Sequence, residues 1–333
     1  MAAVESLPGR WYTDPEVLLA EREQVLRAGW QYLGPSAAVA EPGSFAAFDL
    51  AGLPIAVTRD AAGTLRGLVN VCRHRGAVVA EGCGRRRTLQ CRYHGWTYDL
   101  DGRLRATPGM ELDREERLPE IPVCELGPLL FATADPDAEP LEEALGPFLA
   151  MVRDVAGLDI ATLVHRRRIE HSIAANWKVV VENFIECYHC PLVHAETLPG
   201  YGGEGYAVDQ FGPLHTQRLD EERFCFAYLF PITQLSAYGK EHAVVARAIV
   251  PESHDRTRVA IDYWFAADAD DAGAERYVEW FERVLGEDVP LCESVQTGLA
   301  SGGFERGWLN ADAESGLREF QDQLVRALGD CAG

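Results

Sequence analysis

The sequence predicts an α+β protein with an all-β N-terminal domain and a C-terminal domain in which helices pack on an antiparallel sheet. Three observations carry this. From about residue 38 to 135, short apolar runs such as LPIAVTR, GLVNVCR, TLQCRYH and LLFATA alternate with Gly-rich or Asp-rich turns, the texture of short antiparallel strands. The proline-punctuated stretch PDAEPLEEALGPF then interrupts that texture near residue 135. Beyond it, helical and strand-like segments mix, as expected for helices laid on an antiparallel sheet.

In chain order, residues 1–37 read as a helical segment packing on the C-terminal domain. Val17, Leu18, Leu19, Val25 and Leu26 lie among Glu and Arg in a helical pattern that closes near Gly29. Residues 38–135 form the β domain, with Asp101-Gly102 as a hairpin turn. Residues 136–333 form the second domain. It contains a helix over 176–190 (NWKVVVENFIECYHC), strands in ARAIVPE and RVAIDYWFA, and helices near 273–285 and 312–328.

The 333 residues carry 31 Lys and Arg against 52 Asp and Glu, a net charge of −21. Such an excess opposes binding to nucleic acid or to anionic membranes. No run approaches ~18 apolar residues, and MAAVESLPGRWYTDPE shows no basic segment leading into an apolar one, so a cytoplasmic protein is expected. Nine cysteines, an odd number spread thinly over a long chain, argue for reduced thiols with metal ligation a use for some.

Cys72-Arg73-His74 and Cys91-Arg92-Tyr93-His94 form a C-x-H…C-x-x-H pair, each half at a strand end. Two thiolates and two imidazoles also suit tetrahedral zinc, but zinc sites of mixed type usually group like ligands, whereas here each loop supplies one of each. That split suits a [2Fe–2S] centre of the Rieske type, in which two thiolates hold one iron and two imidazoles the other. His189 and His194 form a second pair, five residues apart. A regular helix would leave them ~140° apart and unable to meet at one metal. Pro191 lies between them and is expected to break the helix so that His194 swings round. Two His and a carboxylate on one face of a metal are what a non-haem iron(II) oxygenase site needs.

The runs NVCRHRGAVVAEGC and CRYHGWTYDLDGRL resemble the Rieske domain of non-haem iron oxygenases. RWYTDPEVLLAEREQVLRAGWQYLG resembles that family's opening, and the likeness thins between 196 and 280. Arg92 stands where many relatives have proline. The resemblance implies that Cys72, His74, Cys91 and His94 hold a [2Fe–2S] cluster and that His189 and His194 hold mononuclear Fe(II). GEDVPLCESVQTGLASGGF resembles the segment that supplies the family's carboxylate, and matching to it by the distance to Gln296 selects Asp288 over Glu287 as the third ligand, with Glu293 a weaker competitor. Glu186, three residues before His189, is expected on the same helix face and accepts a hydrogen bond from its second ring nitrogen. In the family, an acidic residue here bridges to a Rieske histidine of the neighbouring subunit in a ring of three. Many ring-dihydroxylating relatives have Asp at this position, while Glu recurs in relatives that oxidise quaternary amines and other non-aromatic substrates.

The resemblance further implies the α subunit, or oxygenase component, of a homotrimer that consumes O2. Electrons would come from a separate reductase, with or without a ferredoxin, since no strand here leads into a G-x-G-x-x-G. The expected chemistry is hydroxylation or oxidative demethylation of a small organic substrate. Ring cis-dihydroxylation is the second reading, and a non-catalytic Rieske electron carrier a reading of another class. Phe211, Phe224, Phe226, Tyr228 and Phe230 suit either an apolar pocket or, by their alternation, a strand with one buried face. Finally, residues 72–103 hold seven arginines (73, 75, 85, 86, 87, 92 and 103) against Glu81, Asp99 and Asp101, a local +4 suited to an acidic electron donor.

Overall fold

A computed structural model describes residues 3–329, so Cys331 lies outside the described residues. The chain forms two compact units, one of residues 27–138 and one joining the chain up to Leu26 with that from Glu139 onward. No helix among the described residues is long and apolar enough to cross a membrane.

The first unit is all antiparallel β, with one five-stranded and two three-stranded sheets. Ser44–Leu50, Leu53–Arg59 and Leu65–Val69 pair in sequence at the centre of the largest. Phe45, Leu68, Leu89, Trp96 and Tyr98 are buried together beneath the two Cys-His loops. Asp101-Gly102 turns the hairpin of Thr97–Asp99 and Leu104–Ala106. Glycine is required there, because φ is +86° and a Cβ would stand 2.9 Å from the Leu68 side chain.

The second unit is built on a seven-stranded antiparallel sheet. Its order is Val164–Ile173, Arg256–Phe265, Ala243–Ser253, Thr233–Tyr238, Phe224–Leu229, Leu214–Leu219, Tyr206–Phe211. The helix Asp271–Ala300 lies on it, with Tyr277 and Phe281 packing their rings against Tyr238 and Tyr263. This helix runs well past the expected end near 285. Gly286 and Pro290 blur its pattern, and its buried stripe continues through Leu285, Asp288, Cys292, Gln296 and Leu299, three of these five being polar or thiol. The expectation of one buried face at 224–230 is also corrected. Every residue of Phe224–Leu229 is buried: Phe224 and Phe226 line a cavity, Tyr228 packs on Phe320, and the helical segment 146–156 also packs against the strand. Phe211 is 47% exposed on the edge strand.

At the N-terminus, Asp14 caps the helix Pro15–Glu21 by accepting a hydrogen bond from Glu16 N at 2.9 Å. That helix delivers Glu21 into the core, where its carboxylate accepts from Lys178 Nζ and Trp177 Nε1, both at 2.7 Å, with both charged side chains fully buried. Removing one member of such a pair leaves an uncompensated charge, at a cost of ~3–5 kcal/mol. Lys178→Met is therefore expected to lower the melting temperature by roughly 10 °C, at 2–4 °C per kcal/mol for a unit of this size. Adding Glu21→Gln should restore most of the loss, as read by circular dichroism. No recovery in the double variant would show that packing rather than charge dominates.

Candidate metal centres

The two Cys-His loops are built alike. Cys72 N donates to Ala77 O and Gly76 N to Cys72 O, at 2.8 and 3.0 Å. In the second loop Cys91 N donates to Trp96 O and Gly95 N to Cys91 O at the same distances. Each turn closes on a glycine four residues after its cysteine, with φ of +76° at Gly76 and +75° at Gly95. Cys72 and Cys91 are buried, free thiols. The His74 and His94 rings stand 4.6 Å apart, and His74 stacks on Trp96 at 4.9 Å. His74 Nδ1 is buried without a hydrogen-bond partner, the kind of orphan that a metal satisfies. Desolvation, then the nearby His74 and Arg75, lower the His94 pKa and favour the neutral imidazole that a metal requires. The residues thus fit an iron–sulfur cluster.

Tyr98 escaped sequence reasoning. Its hydroxyl accepts from Arg73 N at 2.9 Å and stands 3.3 Å from Cys72 Sγ, within reach to donate to that sulfur as a thiolate ligand. A hydrogen bond to a ligand sulfur stabilises thiolate charge and shifts a cluster's potential.

In the second unit, Asn176 caps the helix Trp177–Phe184 by accepting from Lys178 N at 3.0 Å. That helix stops well before the expected 190. A second short helix, Cys190–Val193, carries Pro191 in its first turn, where a missing N–H costs nothing. His189 precedes this helix and His194 follows it. The break thus comes from two helices meeting, with Pro191 starting the second rather than ending the first. Glu186 correspondingly sits in the link, not on a helix face, and still accepts a hydrogen bond from His189 Nδ1.

His189, His194 and Asp288 each offer one ligand atom, all within 4.8 Å of one another. Asp288 Oδ1 lies 2.9 Å from His194 Nε2 and 3.4 Å from His189 Nε2. Glu287 is turned to the other side, 2.7 Å from His194 Nδ1, and also accepts from Thr197 Oγ1 at 2.6 Å. Glu293 lies elsewhere and accepts from Ala174 N at 3.1 Å. Each imidazole therefore keeps one nitrogen toward Asp288 and has the other tied to a glutamate, the outer support that fixes the orientation of a ligating histidine. The supporting role of Glu287 was invisible in sequence, where it reads only as the neighbour of Asp288.

Burial works to lower the His189 pKa, but Asp288 and Glu186 outweigh it and raise it to about 9. His194 is raised against burial by Asp288 and Glu287. Burial would raise Asp288, yet the two histidines hold it low. Carboxylates thus outweigh burial at both rings, and the donors brought together are those of a non-haem iron(II) site.

The centre opens on a cavity of about 80 Å³, far below the hundreds of Å³ of sites for drug-sized ligands. Tyr201, Phe224, Tyr238, Trp280 and Phe281 line it. Adjacent ring centroids lie 5.0 Å apart for Tyr201–Phe224 and Phe224–Tyr238, and 5.8 Å for Tyr238–Trp280. Phe226 also lines it, whereas Tyr228 donates to Pro231 O at 2.6 Å and Phe230 packs on Phe320. Cys187 and Cys190, expected as reduced thiols, form a disulfide beside the cavity, because the tight link between the helices brings their Cα atoms to 5.0 Å.

Two family models match the chain, a Rieske [2Fe-2S] domain over residues 29–122 and the ring hydroxylating alpha subunit catalytic domain over 160–225 and 213–330. The chain is 31% identical to the chloroplastic choline monooxygenase of Arabidopsis thaliana, over 90% of this chain and 78% of that protein. It is 27% identical to the carnitine monooxygenase oxygenase subunit of Escherichia coli strain K12, over 98% and 94%. Among solved structures, a quaternary ammonium Rieske monooxygenase in complex with L-carnitine superposes with a TM-score of 0.85 at 26% identity, covering 98% of this chain and 96% of that one. Naphthalene 1,2-dioxygenase from a Rhodococcus species shares the fold, with a TM-score of 0.80 at 22% identity over 97% and 94%.

Proposed function

The chain belongs to the Rieske oxygenase α-subunit family, and on that footing we propose that it oxidises a small ammonium compound. As a family member it is an oxidoreductase with a [2Fe–2S] cluster and a mononuclear non-haem iron. It uses O2 and externally supplied electrons to hydroxylate or oxidatively demethylate a small organic substrate. For each turnover two electrons and two protons enter, one oxygen atom becomes the hydroxyl on the attacked carbon and the other leaves as water. Cys72, His74, Cys91 and His94 would hold the cluster, and His189, His194 and Asp288 the iron. Iron there supplies a site where O2 is reduced beside the substrate. Glu186 and Glu287 position the two histidines. In a homotrimer, Glu186 would also join this centre to a neighbouring subunit's cluster. The protein would work in the cytoplasm with a separate reductase or ferredoxin.

The observation that carries the substrate reading is the aromatic wall over the metal centre. Faces of Tyr201, Phe224, Tyr238 and Trp280 attract a cation electrostatically, and a tetraalkylammonium suits them because it needs no hydrogen-bond partners. Supplied with a reductase, the protein is expected to consume O2 with choline-like and betaine-like compounds and to release a hydroxylated or demethylated product. Formation of cis-diols from arenes instead would overturn the reading.

Side-chain pairing also supports a donor surface beside the cluster loops. Arg73, Arg92 and Arg103 are ion-paired with Glu116, Glu81 and Asp101. Arg75, Arg85, Arg86 and Arg87 form no ion pair among the described residues: Arg75 lies over the Tyr93 ring, Arg85 donates to Pro42 O at 3.0 Å and Arg86 lies over the Phe45 ring, so the neighbouring Arg85 and Arg86 are chosen to probe this uncompensated charge. Arg85→Glu with Arg86→Glu is expected to slow cluster reduction by the protein donor about 10-fold at low salt and to flatten its salt dependence. Reduction by dithionite should be unchanged in stopped-flow absorbance, and equal slowing with both would mean damage to the cluster domain.

A further inference from the structure

Arg247 lines the same cavity as His189, His194 and Asp288. It is 5% exposed, on the strand Ala243–Ser253, and its guanidinium is held between the rings of Phe184 and Phe281, at 5.1 and 5.0 Å from their centroids. Among the described residues its one hydrogen bond runs from Nη1 to Ser236 Oγ at 3.3 Å, and its buried Nε has no partner. Both carboxylates that line the cavity are committed elsewhere, Glu186 to His189 and Asp288 to the two histidines. Directly across the strand pair is Gln234, fully buried, with neither amide atom hydrogen-bonded.

A guanidinium buried without an anion is costly, and so is an unmet buried amide. Here the guanidinium is set over two rings and lines a cavity whose two lining carboxylates, among the described residues, are both committed to the histidines. We propose that Arg247 binds a carboxylate of the substrate, making the substrate an ammonium carboxylate of the betaine class rather than an amino alcohol. The planar fork of the guanidinium matches a carboxylate, and unpaired donors of this kind discriminate strongly against a ligand that lacks the acceptor. The aromatic wall then takes the ammonium end and Arg247 the anionic end, so the two contacts together fix which carbon faces the metal ligands. This inference rests on the ammonium reading of the same cavity.

The test compares γ-butyrobetaine and glycine betaine with their uncharged amides in steady-state turnover by the full chain and a reductase. The native protein is expected to favour the carboxylates in kcat/KM. Arg247→Gln should shrink that preference by roughly 10- to 100-fold, the worth of hydrogen bonds to a charged group, mainly through KM. Arg247→Lys should restore part of it. A merely structural role would lower both members of each pair alike, and an intact cluster spectrum and iron content identify a folded variant. Oxidation of the ammonium compounds without preference for the carboxylates, or an unchanged preference in folded Arg247→Gln, would overturn the inference and leave the functional reading standing. Failure of the native protein to oxidise any ammonium compound would overturn both.

Discussion

Asp288→Ala is expected to reduce mononuclear iron to background and turnover by at least 1,000-fold, while the red-brown absorption of the cluster persists. Asp288 is the one carboxylate facing the Nε2 atoms of both His189 and His194, and its side chain is only 6% exposed. Its removal leaves two neutral imidazoles, which cannot balance a dication away from water. Glu287 is not a substitute, since it is tied to His194 Nδ1 and Thr197 on the other side of the ring. Iron analysis with the visible spectrum checks this. Normal iron content in the variant would move the ligand role to another carboxylate.

Glu186→Gln is expected to leave cluster and iron loading near native levels and to lower product formation from reduced protein by about 100-fold, the upper range for loss of an outer partner of a ligating histidine. Glu186 accepts hydrogen bonds from His189 Nδ1 and from the backbone N–H of Tyr188. The amide keeps the shape and an acceptor for the backbone, but it loses the charge that holds the imidazole and carries the proposed contact to a neighbouring subunit. Rapid mixing of reduced protein with O2 and substrate separates the outcomes. Slow cluster oxidation with full iron supports the bridging role, whereas loss of iron would assign Glu186 to metal retention alone. A fully active monomer by light scattering would contradict the trimer that the bridge requires.

The two Cys-His loops were legible in the sequence because ligand identity, spacing and the turn glycines all lie within a few residues. The metal centre was legible only in part. His189 and His194 sit on one short segment, but the carboxylate arrives from a helix almost a hundred residues away. Neighbouring positions on that helix point ~100° apart, so Glu287 and Asp288 look alike in sequence and face opposite nitrogens of one ring in space. The helix limits were blurred for a related reason. Asp288 and Gln296 are buried where an apolar stripe would be expected, since they serve the site and its support rather than the core. Arg247 was lost inside ARAIVPE, where nothing local separates a buried arginine from one at the edge of a solvated strand. The Cys187–Cys190 pairing depended on a break between helices that the sequence suggested one step too late.

Single turnover tests the central claim most directly. Iron-loaded protein, reduced and freed of donor, is mixed with O2 in the presence or absence of γ-butyrobetaine while cluster absorbance and product are followed together. The predicted result is cluster oxidation that is much faster with the ammonium compound, with oxidised product forming in proportion to chains that hold both centres. Cluster oxidation at one rate regardless of substrate, with no product, would contradict it and leave an electron carrier.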